Sequence, residues 1–236
     1  MEEIFFIILC LSLIIVLKLV FNANIKNLKK LGKNDRLDNA VEKYGSDQEI
    51  CKDILKILNV ENVKIHVDLE SDSTFYMAVP NDGFIVLPDS AFVNSKKTFA
   101  RIQTMAHECI HSSQDRRLQV FNNIFSNIYN IYYLISIILL IIKKTVDNMV
   151  VINIFLILSL VYYTIRIYLE NDAMLRAKEI SKKYMESKNI SSYEEIQEII
   201  EEYEKINKEA VKYLNYSFLA NILIKVIIFE IISLIF

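Results

Sequence analysis

The sequence predicts a mainly α-helical integral membrane protein with about four transmembrane helices and a small α+β region outside the bilayer. Three observations carry this. Of 236 residues 53% are hydrophobic, but there are only three Gly, two Pro and no Trp, a composition that disfavours a loop-rich β fold. The apolar residues collect in four runs close to the roughly 20 residues a helix needs to cross a bilayer. They are 4–22 (IFFIILCLSLIIVLKLVFN), 125–142 (FSNIYNIYYLISIILLII), 149–168 (MVVINIFLILSLVYYTIRIY) and 216–236 (YSFLANILIKVIIFEIISLIF). Between them lie two polar stretches with the caps, turns and alternation of a folded soluble region. In lipid the backbone polar groups must be satisfied within the segment, so each run is expected to be a helix.

The first run follows Met1-Glu2-Glu3 and shows no small-residue cleavage site, so 1–22 is expected to stay as an anchor rather than leave as a secretion signal. Lys26, Lys29, Lys30, Lys33 and Arg36 come next, and basic flanks stay in the cytoplasm. The N-terminus is therefore expected outside and the 23–120 region inside, with Lys143 and Lys144 weighing mildly against this orientation. The 23–120 region opens with a basic linker, then a helix from about Ser46 to Leu58 with the stripe Ile50, Ile54, Leu55, Ile57 and Leu58. Residues 63–69 (VKIHVDL) alternate apolar and polar as a half-buried strand does, and 74–79 (TFYMAV) and 84–87 (FIVL) flank the turn Pro80-Asn81-Asp82-Gly83. A small antiparallel sheet is expected, followed by a helix over about 97–118. Residues 121–168 are expected to form a transmembrane hairpin, 169–214 two cytoplasmic helices, and 215–236 the last span. The two helices should break near Lys188-Asn189-Ile190, where Ser191 and Ser192 each precede a Glu by three residues, a capping pattern. The acidic run Glu194 to Glu204 reads as a solvated helix face.

Some classes are set aside. A net charge of −2 without a basic, aromatic-interleaved patch gives nucleic acid nothing to bind. Cys10, Cys51 and Cys109 form no C-x-x-C pair and imply no disulfide framework. Ionisable groups in a bilayer are costly unless paired, snorkelled or lining a cavity. Lys18 lies near a span end and can snorkel, whereas Lys225 with Glu230 favours a rival class, a transporter-like bundle.

The chemistry concentrates at residues 106–111, AHECIH. On a helix each residue advances about 100°, so His107 and His111 lie about 40° apart and one turn removed, and both imidazoles can reach one ion. Glu108 falls about 60° beyond His111, near enough to meet a water at that ion, while Cys109 points to the opposite side and is expected to pack. H-E-x-x-H is a zinc-hydrolase signature, and catalytic zinc takes three protein ligands. The candidate third ligand is Glu170 in YLENDAMLRA, immediately after the third run. Two spans separate it from the histidines, which returns it to the same side of the bilayer. His66, on the polar side of its strand, reads as a surface residue.

The segments HECIHSSQ (107–114) and Glu170-x-Asp172-Ala173-x-x-Arg176-Ala177 resemble the bacterial membrane-bound neutral zinc metallopeptidases of the YugP type, whose motifs read roughly HEvGHaiQ and EfDAsrRA. The resemblance implies a zinc metalloendopeptidase with a zincin-like catalytic region on the cytoplasmic face of the cell membrane. It implies one Zn²⁺ per chain held by His107, His111 and Glu170, with Glu108 as the catalytic glutamate. Asp172 and Arg176 are candidates for supporting the ligands, since a zinc-binding His donates its other N–H to an acceptor. Tyr76 is a candidate oxyanion donor. By the same resemblance Phe84, Ile85, Val86 and Leu87 are candidates for an exposed edge strand that pairs with an extended peptide. The implied partners are a peptide or protein substrate, membrane-associated or not, and the lipid bilayer. An inactive metal-binding scaffold is the alternative, although a purely structural zinc site has no need of Glu108 as a base.

Overall fold

The computed structural model describes residues 2–68, 74–79, 82–88, 98–143 and 147–236. It divides into two compact units: Ile25–Val120 with Leu169–Ala210, and Met1–Asn24 with Phe121–Tyr168 and Val211–Phe236.

The first of these units is built from short helices, a sheet and one end each of three long helices. The stretch expected as a basic linker instead forms α2 (Ile25–Leu31) and α3 (Asp35–Glu42), because Asn34 caps α3 by accepting from the Leu37 amide at 3.3 Å. Helix α4 (Asp47–Ile57) starts at a reciprocal capping box: the Ser46 N–H donates to Glu49 Oε2 at 2.8 Å, and the Glu49 N–H donates to Ser46 Oγ at 3.3 Å. Strands β1 (Val63–Asp68), β2 (Phe75–Val79) and β3 (Asp82–Pro88) form one sheet in the order β1-β3-β2. β2 and β3 are antiparallel, with Tyr76 opposite Ile85, but β1 runs parallel to β3, with Ile65 opposite Ile85. The expectation of a purely antiparallel sheet is thereby corrected. So is the edge-strand assignment: Phe84, Ile85, Val86 and Leu87 lie in the central strand, hydrogen-bonded on both sides. A strand with neighbours on both edges has no free ladder to offer a peptide. Pro80 and Asn81 of the expected turn lie outside the described residues.

Helix α5 (Arg101–Ser113) is shorter than the 97–118 expected. Its start is tied down by the Phe99 N–H donating to Asp38 Oδ1 at 2.7 Å and by Arg101, which reaches Asp47 at 2.7 Å and the Gly45 carbonyl at 2.7 Å. Its end is set by Gln114, which is extended, and by Asp115, whose side chain accepts from the Arg117 amide at 2.7 Å and caps α6 (Arg116–Ile141). The inner face of α5, with Ile102, Met105, Ala106, Cys109 and Ile110, packs with Ile50, Cys51 and Ile54 of α4 and with Ala173, Ala177 and Tyr203. Burying each large apolar side chain there contributes about 1.5–3 kcal/mol. α7 (Asn148–Lys188) ends where Asn189 takes φ 52°, a left-handed cap that Asn tolerates, and α8 (Tyr193–Ile235) begins where Ser192 Oγ accepts from the Glu195 amide at 3.2 Å.

The second unit comprises α1 (Glu2–Phe21) and parts of α6, α7 and α8. These four helices are long and apolar enough to cross a membrane. Their shared core holds Cys10, Tyr129, Leu140, Ile152, Phe155, Ile222, Val226 and Phe229. Large apolar side chains also face outward, Leu19 at 74% exposure and Ile157 at 63%. Water penalises such a surface and lipid does not. Tyrosine hydroxyls reach across helices inside it: Tyr132 donates to the Val151 carbonyl and Tyr133 to the Lys225 carbonyl, each at 3.1 Å.

Candidate metal centre

α5 supplies His107, Glu108 and His111, and α7 supplies Glu170, all within the unit that carries the sheet. The two Nε2 atoms of His107 and His111 are 3.1 Å apart, and the rings are nearly perpendicular at 89°. Glu170 Oε2 is 3.1 Å from His107 Nε2, and its Oε1 is 3.7 Å from His111 Nε2. His111 and Glu170 are buried and His107 nearly so. The three donor atoms lie within 4.8 Å of one another, so this group could hold a metal ion. The spacing fits one: a tetrahedral ion bonded to two nitrogens at about 2.0–2.1 Å keeps them about 3.3 Å apart.

The hydrogen bonds around His111 fix which nitrogen faces the site. Gln114 donates through Nε2 to the Leu169 carbonyl at 2.8 Å and to Asp172 Oδ2 at 2.7 Å, two groups that can only accept. Its Oε1 must therefore be the atom 2.8 Å from His111 Nδ1. Gln119 Nε2 also donates to that Oε1, at 2.6 Å. Hence Nδ1 of His111 carries the proton, and Nε2 presents a lone pair toward His107 and Glu170. Lone pairs converging in this way repel unless a cation or a proton sits between them. Asp172 is thus one residue removed from the role expected of it: Gln114 accepts from His111, and Asp172 holds Gln114. Arg176 in turn pairs with Asp172 at 3.2 Å and donates to Ser113 Oγ at 3.1 Å.

Glu108 accepts from the backbone N–H of Tyr76 on β2 at 2.7 Å. Burial pushes its carboxyl above the ordinary value; His107, His111 and the Tyr76 N–H pull the other way without reversing this. Burial pulls His111 down, but the hydrogen bond and charge of Glu170, supported by Glu108 and Gln114, outweigh it and leave the imidazole raised. Each group therefore keeps its proton to a higher pH than it would in water. Cys109 is fully buried, and its hydrogen bond to Cys51 together with burial holds the thiol well above its ordinary range, so it offers no thiolate.

The other candidates separate. Ile110, between the motif residues, faces the core and not the ligands. The Tyr76 hydroxyl lies over Gly83, 2.7 Å from where a Cβ would stand there, so this side chain covers the sheet while its backbone meets Glu108. His66 is exposed on β1, its ring 5.2 Å from that of Phe84. Sequence reasoning missed Gln119 and gave no role to Gln114, the last residue of HECIHSSQ. The signal was available in Ser113-Gln114-Asp115, where a helix-capping Asp marks the break that turns Gln114 back onto the site. Compared with protein-family models, with curated proteins and with solved structures, the chain matches none.

Proposed function

We propose that the chain is a membrane-embedded zinc metallopeptidase, with His107, His111 and Glu170 as ligands and its catalytic face toward the cytoplasm. The observation that carries this reading is the convergence within 4.8 Å of two imidazole nitrogens from α5, the helix that also carries Glu108, and the Glu170 carboxylate from α7. Bound zinc supplies Lewis acidity and lowers the pKa of water from about 15.7 toward about 7. The residues of the chain do the rest. Glu108 takes a proton from the attacking water and gives it to the leaving amine, and its raised pKa suits a group that must both accept and donate. Gln114 holds His111 in the tautomer that leaves Nε2 free. β2, at an edge of the sheet, replaces the central strand as the one along which an extended substrate is expected, with Phe75 and Met77 exposed on it.

The test compares the metal content of detergent-purified wild type, Glu108→Gln and Glu170→Ala, each incubated with zinc and desalted. About one zinc per chain in the first two and loss in the third is expected, with peptide cleavage in wild type alone. Full zinc in Glu170→Ala would overturn the ligand set. Zinc without cleavage across a broad peptide library would favour the scaffold alternative.

A further inference from the structure

Lys225 of α8 lies in the bundle of apolar helices, and no carboxylate of the described residues pairs with it. Its Nζ sits 4.2 Å from the centroid of the Tyr129 ring and 5.3 Å from that of Tyr133, and it donates to Asn130 Oδ1 at 3.0 Å. Lys225 forms no ion pair among the described residues. Glu230 lies five positions on, about 140° round the helix, and does not serve as its counter-ion. Beside the ammonium is a cavity of about 210 Å³ lined by Tyr129, Asn130, Tyr162, Phe218, Asn221 and Lys225, among others. Asn130 and Asn221 are exposed there, and Asn221 makes no hydrogen bond among the described residues. The cavity therefore opens on the outer face of the bundle, with a cation and an unpaired amide at its mouth.

Depth decides what can reach it. Val211, where this unit takes up α8, lies fourteen residues before Lys225, about 21 Å, and Phe121, where it takes up α6, lies nine residues before the Asn130 that the ammonium meets, about 13.5 Å. In a hydrocarbon layer about 30 Å thick this is close to the middle. Helical side chains lean toward the N-terminus, which brings the ammonium only a few ångströms nearer one surface. Lipid phosphates lie too far out to meet it, whereas an acidic side chain on a neighbouring transmembrane helix lies at the same depth. An intramembrane cation held only by ring faces and an amide oxygen calls for an anionic partner.

We propose that Lys225, with Asn130 and Asn221, forms a docking site for a transmembrane helix of another polypeptide that carries an Asp or Glu at mid-depth. The carboxylate meets the ammonium and accepts from the Asn221 amide, and the tyrosine faces close around the pair. This rests on the membrane reading of the four helices but not on zinc or on peptidase activity.

The test uses the full chain reconstituted in phosphatidylcholine vesicles at pH 8. The probes are synthetic Leu/Ala transmembrane peptides bearing one central Glu, one central Gln, or one Glu near an end, and association is followed by energy transfer between fluorophores. The central-Glu peptide is expected to bind about tenfold more tightly than either other peptide. Lys225→Met should abolish that preference, and Lys225→Arg should keep most of it. Equal binding of the Glu and Gln peptides, or a preference that survives Lys225→Met, overturns the proposal. So does a preference abolished by adding phosphatidylglycerol, which would assign the site to a lipid phosphate. Release of the chain from cell membranes by alkaline carbonate, scored beforehand, sinks the membrane reading itself. Zinc content of the same Lys225→Met preparation is expected to be unchanged, which keeps failure here separate from failure of the metal centre.

Discussion

The two polar sites of this molecule handle buried charge in opposite ways. Around His111 every donor has an acceptor: imidazole to Gln114, Gln114 to Asp172 and the Leu169 carbonyl, and Arg176 to Asp172. Lys225 has one amide oxygen and two ring faces. A fully satisfied network stiffens its members and makes each of them costly to remove. A cation without a counter-charge adds little to the fold around it and leaves its interaction energy for whatever binds. The first arrangement holds a geometry, and the second recruits.

Substitutions can break this contrast at several points. The largest effect is expected from Glu108→Gln, which should lower peptide cleavage by about 10²–10⁴ while leaving zinc in place. Loss of zinc in that variant would mean Glu108 belongs to the ligand set. Gln114→Met removes the acceptor of the His111 proton and should weaken zinc binding by about 10–100-fold in a chelator competition. Asp172→Asn should cost less, because Gln114 keeps the Leu169 carbonyl. Unchanged affinity in Gln114→Met would show that the network is decoration.

pH sharpens the same contrast. The raised His111 pKa makes protons compete with zinc from above the ordinary value of 6.5, and affinity should fall about tenfold per pH unit below the raised value. In the metal-free chain the sign reverses for stability. A group whose folded pKa is raised contributes fully below its unfolded value and loses that contribution as pH rises through the folded one. Metal-free protein should therefore melt lower as pH rises through the His111 transition, and zinc should remove that slope. The smallest effect is expected at the other site: Lys225→Met should leave the melting temperature in detergent unchanged or slightly raised, because no internal carboxylate is left unpaired by it. A marked fall would mean that Lys225 is structural.

Much of the candidate metal centre was legible because helix geometry is local. Two imidazoles four apart share a face whatever surrounds them, and the separation of Glu170 by two apolar runs placed it with them. The capping residues Ser46 and Ser192 were legible for the same reason. What stayed hidden depends on tertiary pairing. Alternation over 63–69 marks a strand without saying which neighbour it takes, so β1 beside β3, and the loss of a free edge at Phe84–Leu87, came only with the fold. Lys225 and Glu230 look like a pair in a linear sequence, yet they face different directions, and the ammonium turns to Asn130 on another helix. The stop at Gln114 was masked by the helical pattern running through it, although Asp115 carried the cue.

The orientation of the Gln114 amide has an electrical consequence. From His111 to Asp172 the donors all point one way, so the negative charge of Asp172 is felt at the imidazole through the polarised amide. An amide is a poor carrier of protons, so the same link behaves as an insulator. His111 is enriched in electron density without the option of surrendering its Nδ1 proton to a carboxylate, as it could if the two touched directly. The imidazole is held as a neutral donor and kept from becoming an imidazolate, which leaves an ion at Nε2 more of its own electron deficiency, the property on which activating water depends.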